Sequence, residues 1–200
     1  MNKEAIFPST LMPDDDWWHE LWCDPLAIVE DIGINSHHRV LDLCCGNGWF
    51  TQAIAKQLID SSNVMALDID EQLIDQAKIR CADYDVQFVV DDAMNVAKSV
   101  QSPVDYILIA NTFHGIPDKE ELLKRLLPLL ADDSEVCIIN WYPSPDKDTC
   151  VLGVPRGPAE NYRLSPSEVS EYMRKVGFSF LSEQKVSDFH YALRYKKCKK

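Results

Sequence analysis

Two carboxylates, two glycines and a histidine mark where this chain can do chemistry. Asp42 lies near the end of an apolar run, Val40-Leu-Asp-Leu43, that enters the turn Cys44-Cys-Gly-Asn-Gly48 and passes directly into Trp49-Phe-Thr51. Gly46 and Gly48 permit a tight turn and let a ligand lie against bare backbone. A second apolar run, Val64-Met-Ala-Leu67, ends in Asp68, 20 residues beyond Gly48. A carboxylate at that spacing accepts hydrogen bonds from both hydroxyls of a ribose. A dinucleotide site wants a third glycine three residues after the second, to seat a pyrophosphate on the helix N-terminus. Thr51 holds that place, and the carboxylate of Asp42 repels a pyrophosphate but can hold an amino group. The pattern therefore predicts a nucleoside with an amino-acid tail rather than NAD, a turn without any ligand being the plainer alternative.

Further along, the fourth apolar run leads into Ala110-Asn-Thr-Phe-His-Gly-Ile-Pro117. His114 is read as a general base, because an imidazole titrates near neutrality and can take a proton from an attacking hydroxyl, thiol or amine; fixing the loop is the other reading. A stretch of roughly 20 residues follows the fifth run, long enough to be a binding loop or lid. Its Arg156 and Arg163 can hold a carboxylate or phosphate, or pair with some of the 32 acidic residues. Near the start, Trp17, Trp18 and Trp22 are dense, and the last two share a helical face, which suits either packing on the sheet or a lid over a cation.

The elements that must position these groups follow from periodicity. Apolar residues at helical intervals predict helices over Trp49–Ile59 and Glu71–Cys81, and a leucine-rich one over Asp118–Ala131 that Pro128 should kink or divide. Val86–Val90, Val104–Ala110 and Val136–Trp141 read as three further strands, each apolar enough to be covered on both faces. Ser165-Pro-Ser-Glu168 is a helix start with a capping box, Gly177 ends that helix, and Phe178–Val186 with Phe189–Tyr195 form two closing strands. Strands alternating with helices predict an α/β fold, a doubly wound and mostly parallel sheet of seven strands closed by a C-terminal antiparallel hairpin.

Composition narrows the partners. A length of 200 residues predicts one domain, or one domain with a small appendage. A net charge of −12 argues against a nucleic-acid substrate, and the only basic run is the tail Lys196–Lys200. No apolar run reaches a membrane span, and Met1–Pro8 lacks the pattern of a secretory signal, so the expected location is the cytoplasm. Seven cysteines without a C-x-x-C pair read as reduced thiols, with no metal site expected.

The turn resembles the first motif of the class I S-adenosylmethionine-dependent methyltransferases, of the form D/E-x-G-x-G-x-G. Asp42, Gly46 and Gly48 fit it, while Cys44 stands where the first glycine usually is, a Cys-Cys-Gly form similar to the quinone-biosynthesis branch. The resemblance runs from about Val40 to Lys197 and implies a Rossmann-like fold, S-adenosylmethionine as cofactor and a small-molecule methyl acceptor. It implies that Asp42, Cys44, Gly46, Asn47 and Gly48 receive the methionine portion and Asp68 the ribose. Ile69 would press on the adenine, which Asp92 and the backbone of Ala93 would read, and Asn111 would face the methyl. His114, Trp18, Trp22, Tyr142, Arg156 and Arg163 would meet the acceptor. Residues 1–35 are expected to form a helical arm or lid, and 36–200 the binding domain. A non-catalytic module for the same ligand, an NAD-dependent oxidoreductase, thiols converging on a metalloid, and a homodimer are the alternatives left open.

Overall fold

The computed structural model describes residues 15–100 and 103–197. The expectations for Met1–Pro8, for Pro13 and Asp14 of the arm and for the last three residues of the basic tail lie outside them. Two short helices come first, α1 (Asp15–Leu21) and α2 (Pro25–Asp31), and then β1 (Val40–Leu43), α3 (Trp49–Gln57), β2 (Val64–Asp68) and α4 (Glu71–Arg80). β3 (Gln87–Val90), α5 (Val96–Ser99), β4 (Val104–Ala110), α6 (Lys119–Leu126) and β5 (Leu130–Trp141) follow. A small hairpin, β6 (Cys150–Val151) and β7 (Val154–Pro155), precedes α7 (Pro166–Val176), β8 (Phe178–Lys185) and β9 (His190–Lys197).

The main sheet has seven strands in the order β3-β2-β1-β4-β5-β9-β8. β1 pairs in parallel with β2 and β4, and the order reverses there, so the carboxyl ends of β1, β2 and β4 open a crevice at the switch point. β9 runs antiparallel to β5 and to β8, which completes the expected hairpin.

Alternation along the strands builds a core on each face. Leu41, Ile107, Ile138 and Leu193 meet Leu122 and Leu126 of α6 and Val169 and Met173 of α7. Val40, Leu108, Ile139 and Ala192 meet Val29 of α2, Phe50 and Ile54 of α3 and all three N-terminal tryptophans. The arm helices thus share one core with α3.

Local chemistry sets the ends. Ser165 and Glu168 form the expected capping box of α7, and Gly177 closes it at φ 97°. Pro128 acts as expected: α6 stops at Leu126 and a 3-10 turn over Leu127–Leu129 takes over. Two expectations need correction. β3 is not covered on both faces, because it is the edge strand and leaves Gln87 and Val90 exposed. β5 begins at Leu130 rather than Val136, because its pairing jumps from Val104–Leu130 to Tyr106–Glu135, and the extra residues, with Asp133 at φ 67°, form a bulge.

Candidate active site

The glycine turn is built from strained backbone tied to its neighbours. Cys44 and Cys45 donate their backbone N–H groups to the Leu67 carbonyl at 2.7 and 3.0 Å, pinning the turn to β2. Cys44 takes φ 63°, a conformation that costs a residue with a Cβ roughly 1–2 kcal/mol and explains why a glycine suits this place. Gly46 donates to Asp68 Oδ2 at 2.8 Å, and Asp70 donates to Oδ1 at 3.0 Å. Each carboxylate oxygen accepts two hydrogen bonds, so Asp68 keeps capacity for the two hydroxyls of a ribose. Gly48 takes φ 81°, as a tight turn needs, and its missing side chain also makes room for α4: a Cβ there would stand 2.9 Å from the Cβ of Ala77.

Asp42 is buried, and the hydroxyl of Thr51 donates to its Oδ2 at 2.6 Å. Burial pushes its carboxyl up to about 7; the Thr51 hydrogen bond opposes the shift and the charge of Asp68 adds to it. Thr51 therefore fills the third-glycine place as a partner for Asp42, which leaves no glycine approach for a pyrophosphate. Asn47 is covered by the arm: its Nδ2 donates to Asp15 Oδ1 at 3.0 Å, while its Oδ1 is buried without a partner. Arg80 closes the same knot, with Nε on the Asn47 carbonyl and NH2 on Asp15, both at 3.0 Å.

At the end of β3, Asp92 accepts from the backbone of Met94 at 2.8 Å as an ordinary cap, leaving its second oxygen toward solvent. Ala93 is buried beside it, and Ile69 is half-buried after Asp68.

The end of β4 carries a different kind of group. Asn111 sits at φ 58°, and both its Oδ1 and its Nδ2 are buried with no hydrogen-bond partner. His114 lies just beyond and is 6% exposed, with Nδ1 3.3 Å from Asn140 Oδ1 on β5. Burial pulls its imidazole down to about 4; the Asn140 hydrogen bond resists, and the charges of Lys119 and Arg163 add to the fall. The ring is therefore neutral at physiological pH. An Nδ1 that donates to the Asn140 oxygen would leave the basic lone pair on Nε2.

The two loop arginines part company. Arg163 donates Nε to the Pro158 carbonyl, NH1 to that of Ser144, and NH2 to Asp146 at 2.8 Å and to the Arg156 carbonyl at 3.2 Å. A guanidinium so engaged braces its own loop. Arg156 instead lies over Trp17, and its Nε is buried and unpartnered. Tyr142 packs against Tyr191 with ring centres 5.2 Å apart.

Trp17, Trp18 and Trp22 are all buried against the sheet, Trp22 lying between Phe50 and His190. His190, which spacing did not mark, is fully buried, opposite Trp141, and carries an unpartnered Nε2. Only its place beside the Ser187-Asp188 turn, at the strand end nearest the site, could have singled it out.

Cys44 packs into one core and Cys45 into another, burial and nearby carboxylates push both thiols well up, and Cys23 and Cys150 are exposed. Among the described residues no three His, Cys, Asp or Glu side chains gather as a metal-binding group.

A family described as a methyltransferase domain matches residues 34–174. The chain is 37% identical over 103 residues to a demethylmenaquinone methyltransferase of Lactobacillus johnsonii, covering 50% of this chain and 42% of that protein. It is 28% identical over 128 residues to a Staphylococcus aureus protein of the same name, covering 63% and 52%. The chain thus spans about half the length of these relatives. Among solved structures, a SAM-dependent methyltransferase from Aquifex aeolicus superposes with a TM-score of 0.77 at 19% identity, covering 92% of this chain and 94% of that one. A plantazolicin methyltransferase in complex with SAH gives 0.68 at 17% identity, covering 86% and 84%. These two likenesses establish the fold.

Proposed function

The chain belongs to the methyltransferase-domain family, and on that premise we propose that it transfers a methyl group from S-adenosylmethionine to a small aromatic acceptor of the quinol type. The observation that carries the reading is Asn111, with two buried amide atoms lacking partners where the crevice between β1 and β4 opens. Asp68 at the end of β2 and Asp92 with Ala93 at the end of β3 are the right donors and acceptors for a ribose and an adenine. Asp42 suits an ammonium group, whose charge would restore its carboxylate. The residues therefore fit the cofactor, with Asn47 available once Asp15 releases its amide.

When bound, S-adenosylmethionine supplies an electrophilic methyl: an electron pair of the acceptor takes it as the carbon–sulfur bond breaks, and that bond's pair stays on sulfur. The chain's own share is alignment and exclusion of water, which the buried walls and the arm provide. His114 removes the acceptor's proton through Nε2. A base with a pKa of about 4 is weak. That strength matches an aromatic carbon, which sheds its hydrogen readily once it also bears a methyl group. The names of the Lactobacillus and Staphylococcus relatives support a quinol acceptor, and free cysteines suit a reducing, cytoplasmic setting.

Calorimetric titration with S-adenosylmethionine, S-adenosylhomocysteine and NAD in parallel tests the cofactor. Micromolar binding of the two adenosyl ligands and none of NAD is expected; binding of NAD alone would overturn the reading. Methyl transfer from labelled S-adenosylmethionine to 1,4-naphthohydroquinone then separates an enzyme from a module that only binds the ligand.

A further inference from the structure

A run of touching side chains joins the arm to the far edge of the site. Arg156 Cζ lies 5.2 Å from the Trp17 ring, Trp17 meets Trp18 edge to face at 5.5 Å, and Trp18 meets Trp22 at 5.8 Å. Trp22 then lies 4.5 Å from His190, and His190 4.1 Å from Trp141. Along this run Arg156 Nε, Trp18 Nε1, Trp22 Nε1 and His190 Nε2 are buried without a hydrogen-bond partner. Buried indole N–H groups ordinarily find an acceptor, and an unmet one carries a desolvation cost that nothing repays. All four atoms can donate and three can only donate. A layer of donors with no acceptor among aromatic faces is complementary to a flat apolar molecule that carries acceptor oxygens.

His190 is the fixed member of that layer. It opens β9 opposite Trp141, and its carbonyl accepts from Val186 at 3.0 Å, which locks the turn before it. Its Nδ1 is 2.8 Å from Ser187 Oγ. That hydroxyl already accepts from the backbone of Phe189 at 3.1 Å, so its own proton is available to Nδ1. The imidazole proton then sits on Nε2. His114 stands by Asn140 and His190 by Trp141, so the two imidazoles bracket the end of β5.

We infer that His190 is an acceptor-binding residue, whose Nε2–H holds a carbonyl or phenolic oxygen of the methyl acceptor in a site roofed by Trp18 and Trp22. The inference rests on the methyltransferase reading above and assigns the side of the acceptor that His114 does not serve. Entry requires α1 to lift. That movement breaks the Asp15–Arg80 ion pair at 3.0 Å and the Asn47–Asp15 hydrogen bond and draws Trp17 and Trp18 off the core they share with α3. Aliphatic amines are poor occupants, because donors would face donors.

The test uses the full chain and 2,3-dimethyl-1,4-naphthoquinone, whose oxygens only accept and whose blocked ring carbons resist addition of the exposed Cys23 and Cys150 thiols. Quenching of tryptophan fluorescence is followed in the presence of S-adenosylhomocysteine, with calorimetry of S-adenosylhomocysteine alongside. Saturable quenching is expected in the unaltered chain, weakened about 10-fold in His190→Phe and largely restored in His190→Gln, whose amide reaches the Nε2 position. S-adenosylhomocysteine affinity should be equal in all three. Equal quinone affinity in His190→Phe, or no saturable quenching in an unaltered chain that binds S-adenosylhomocysteine, overturns the inference and leaves the methyltransferase reading standing. Failure of the unaltered chain to bind S-adenosylhomocysteine overturns that reading instead. Should His190→Phe misfold, His190→Asn against His190→Gln decides: the Asn amide reaches only the Nδ1 position, so equal affinities refute the role.

Discussion

The two halves of the crevice treat their polar atoms in opposite ways. On the β1–β2–β3 side the carboxylates are satisfied within the chain: Asp68 takes two backbone N–H groups, Asp42 takes the Thr51 hydroxyl, Asp92 caps the next turn and Asp91 holds the Asn95 amide, with Asn47 Oδ1 in the turn the exception. On the β4–β5–β9 side Asn111, Trp18, Trp22 and His190 keep buried polar atoms with no partner. A self-satisfied half is a rigid cradle for one fixed ligand. A half with unmet donors stores a cost that an incoming molecule relieves, which is how a common cofactor and a particular acceptor can be served by one fold.

The contrast can be broken from either side. The largest effect belongs to the unmet half: His114→Ala should lower turnover by roughly 10²–10⁴-fold while leaving cofactor affinity nearly intact, as steady-state kinetics and calorimetry would show. Retained turnover would make His114 a structural residue. Arg163→Ala removes a guanidinium whose side chain is 1% exposed and leaves loop carbonyls unpaired; a loss of about 3 kcal/mol in urea unfolding is expected. Wild-type stability in that variant would return Arg163 to the acceptor. In the self-satisfied half, Asp68→Ala should weaken S-adenosylhomocysteine binding by roughly 1.5–3 kcal/mol, the worth of a hydrogen bond to a charged group. An unchanged affinity would remove the ribose from β2.

A pH series sharpens the same half. Asp42 has a folded pKa of about 7 against an ordinary 3.8, so the folded state holds a proton that the unfolded chain has lost. Its contribution to stability is fully present below the unfolded value, declines as pH rises toward 7, and levels off above that, with a slope of at most ~1.4 kcal/mol per pH unit. Asp42→Asn should flatten this part of the profile between pH 5 and 8, and an unflattened profile would show that Asp42 is not the titrating group. The smallest effect is Cys44→Gly, which should raise stability in urea by about 1 kcal/mol by relieving the positive φ, offset in part by the entropy of a glycine.

What could be read from the sequence follows the same division. Asp42, Gly46 and Asp68 lie within 27 residues, and local rules of turn and strand placed them. The capping box at Ser165 and the break at Pro128 were legible for the same reason. Gly48 was legible as a turn residue but not as the gap that admits Ala77, since Ala77 belongs to a different helix. The half proposed for the acceptor draws on Trp22, Asn111, Arg156 and His190, spread over most of the chain, and no spacing rule connects them. The pattern shows the charge of Arg163 without showing the carbonyls that surround it. The exposure of β3 and the bulge of β5 depend on sheet order and register, which only the pairing reveals.

The position of β9 has a consequence for how the molecule is made. β8 precedes β9 in the chain, yet β9 lies between it and the rest of the sheet. As the chain leaves the ribosome, β8 has no partner until the residues of β9 follow, and β5 presents an open flank for as long. His190 and the wall it forms with Trp141 arrive in that last step. A nascent chain can therefore finish the β1–β2–β3 turns while it still lacks the His190–Trp141 wall, and anything that delays β9 leaves two unpaired strand edges open to other proteins.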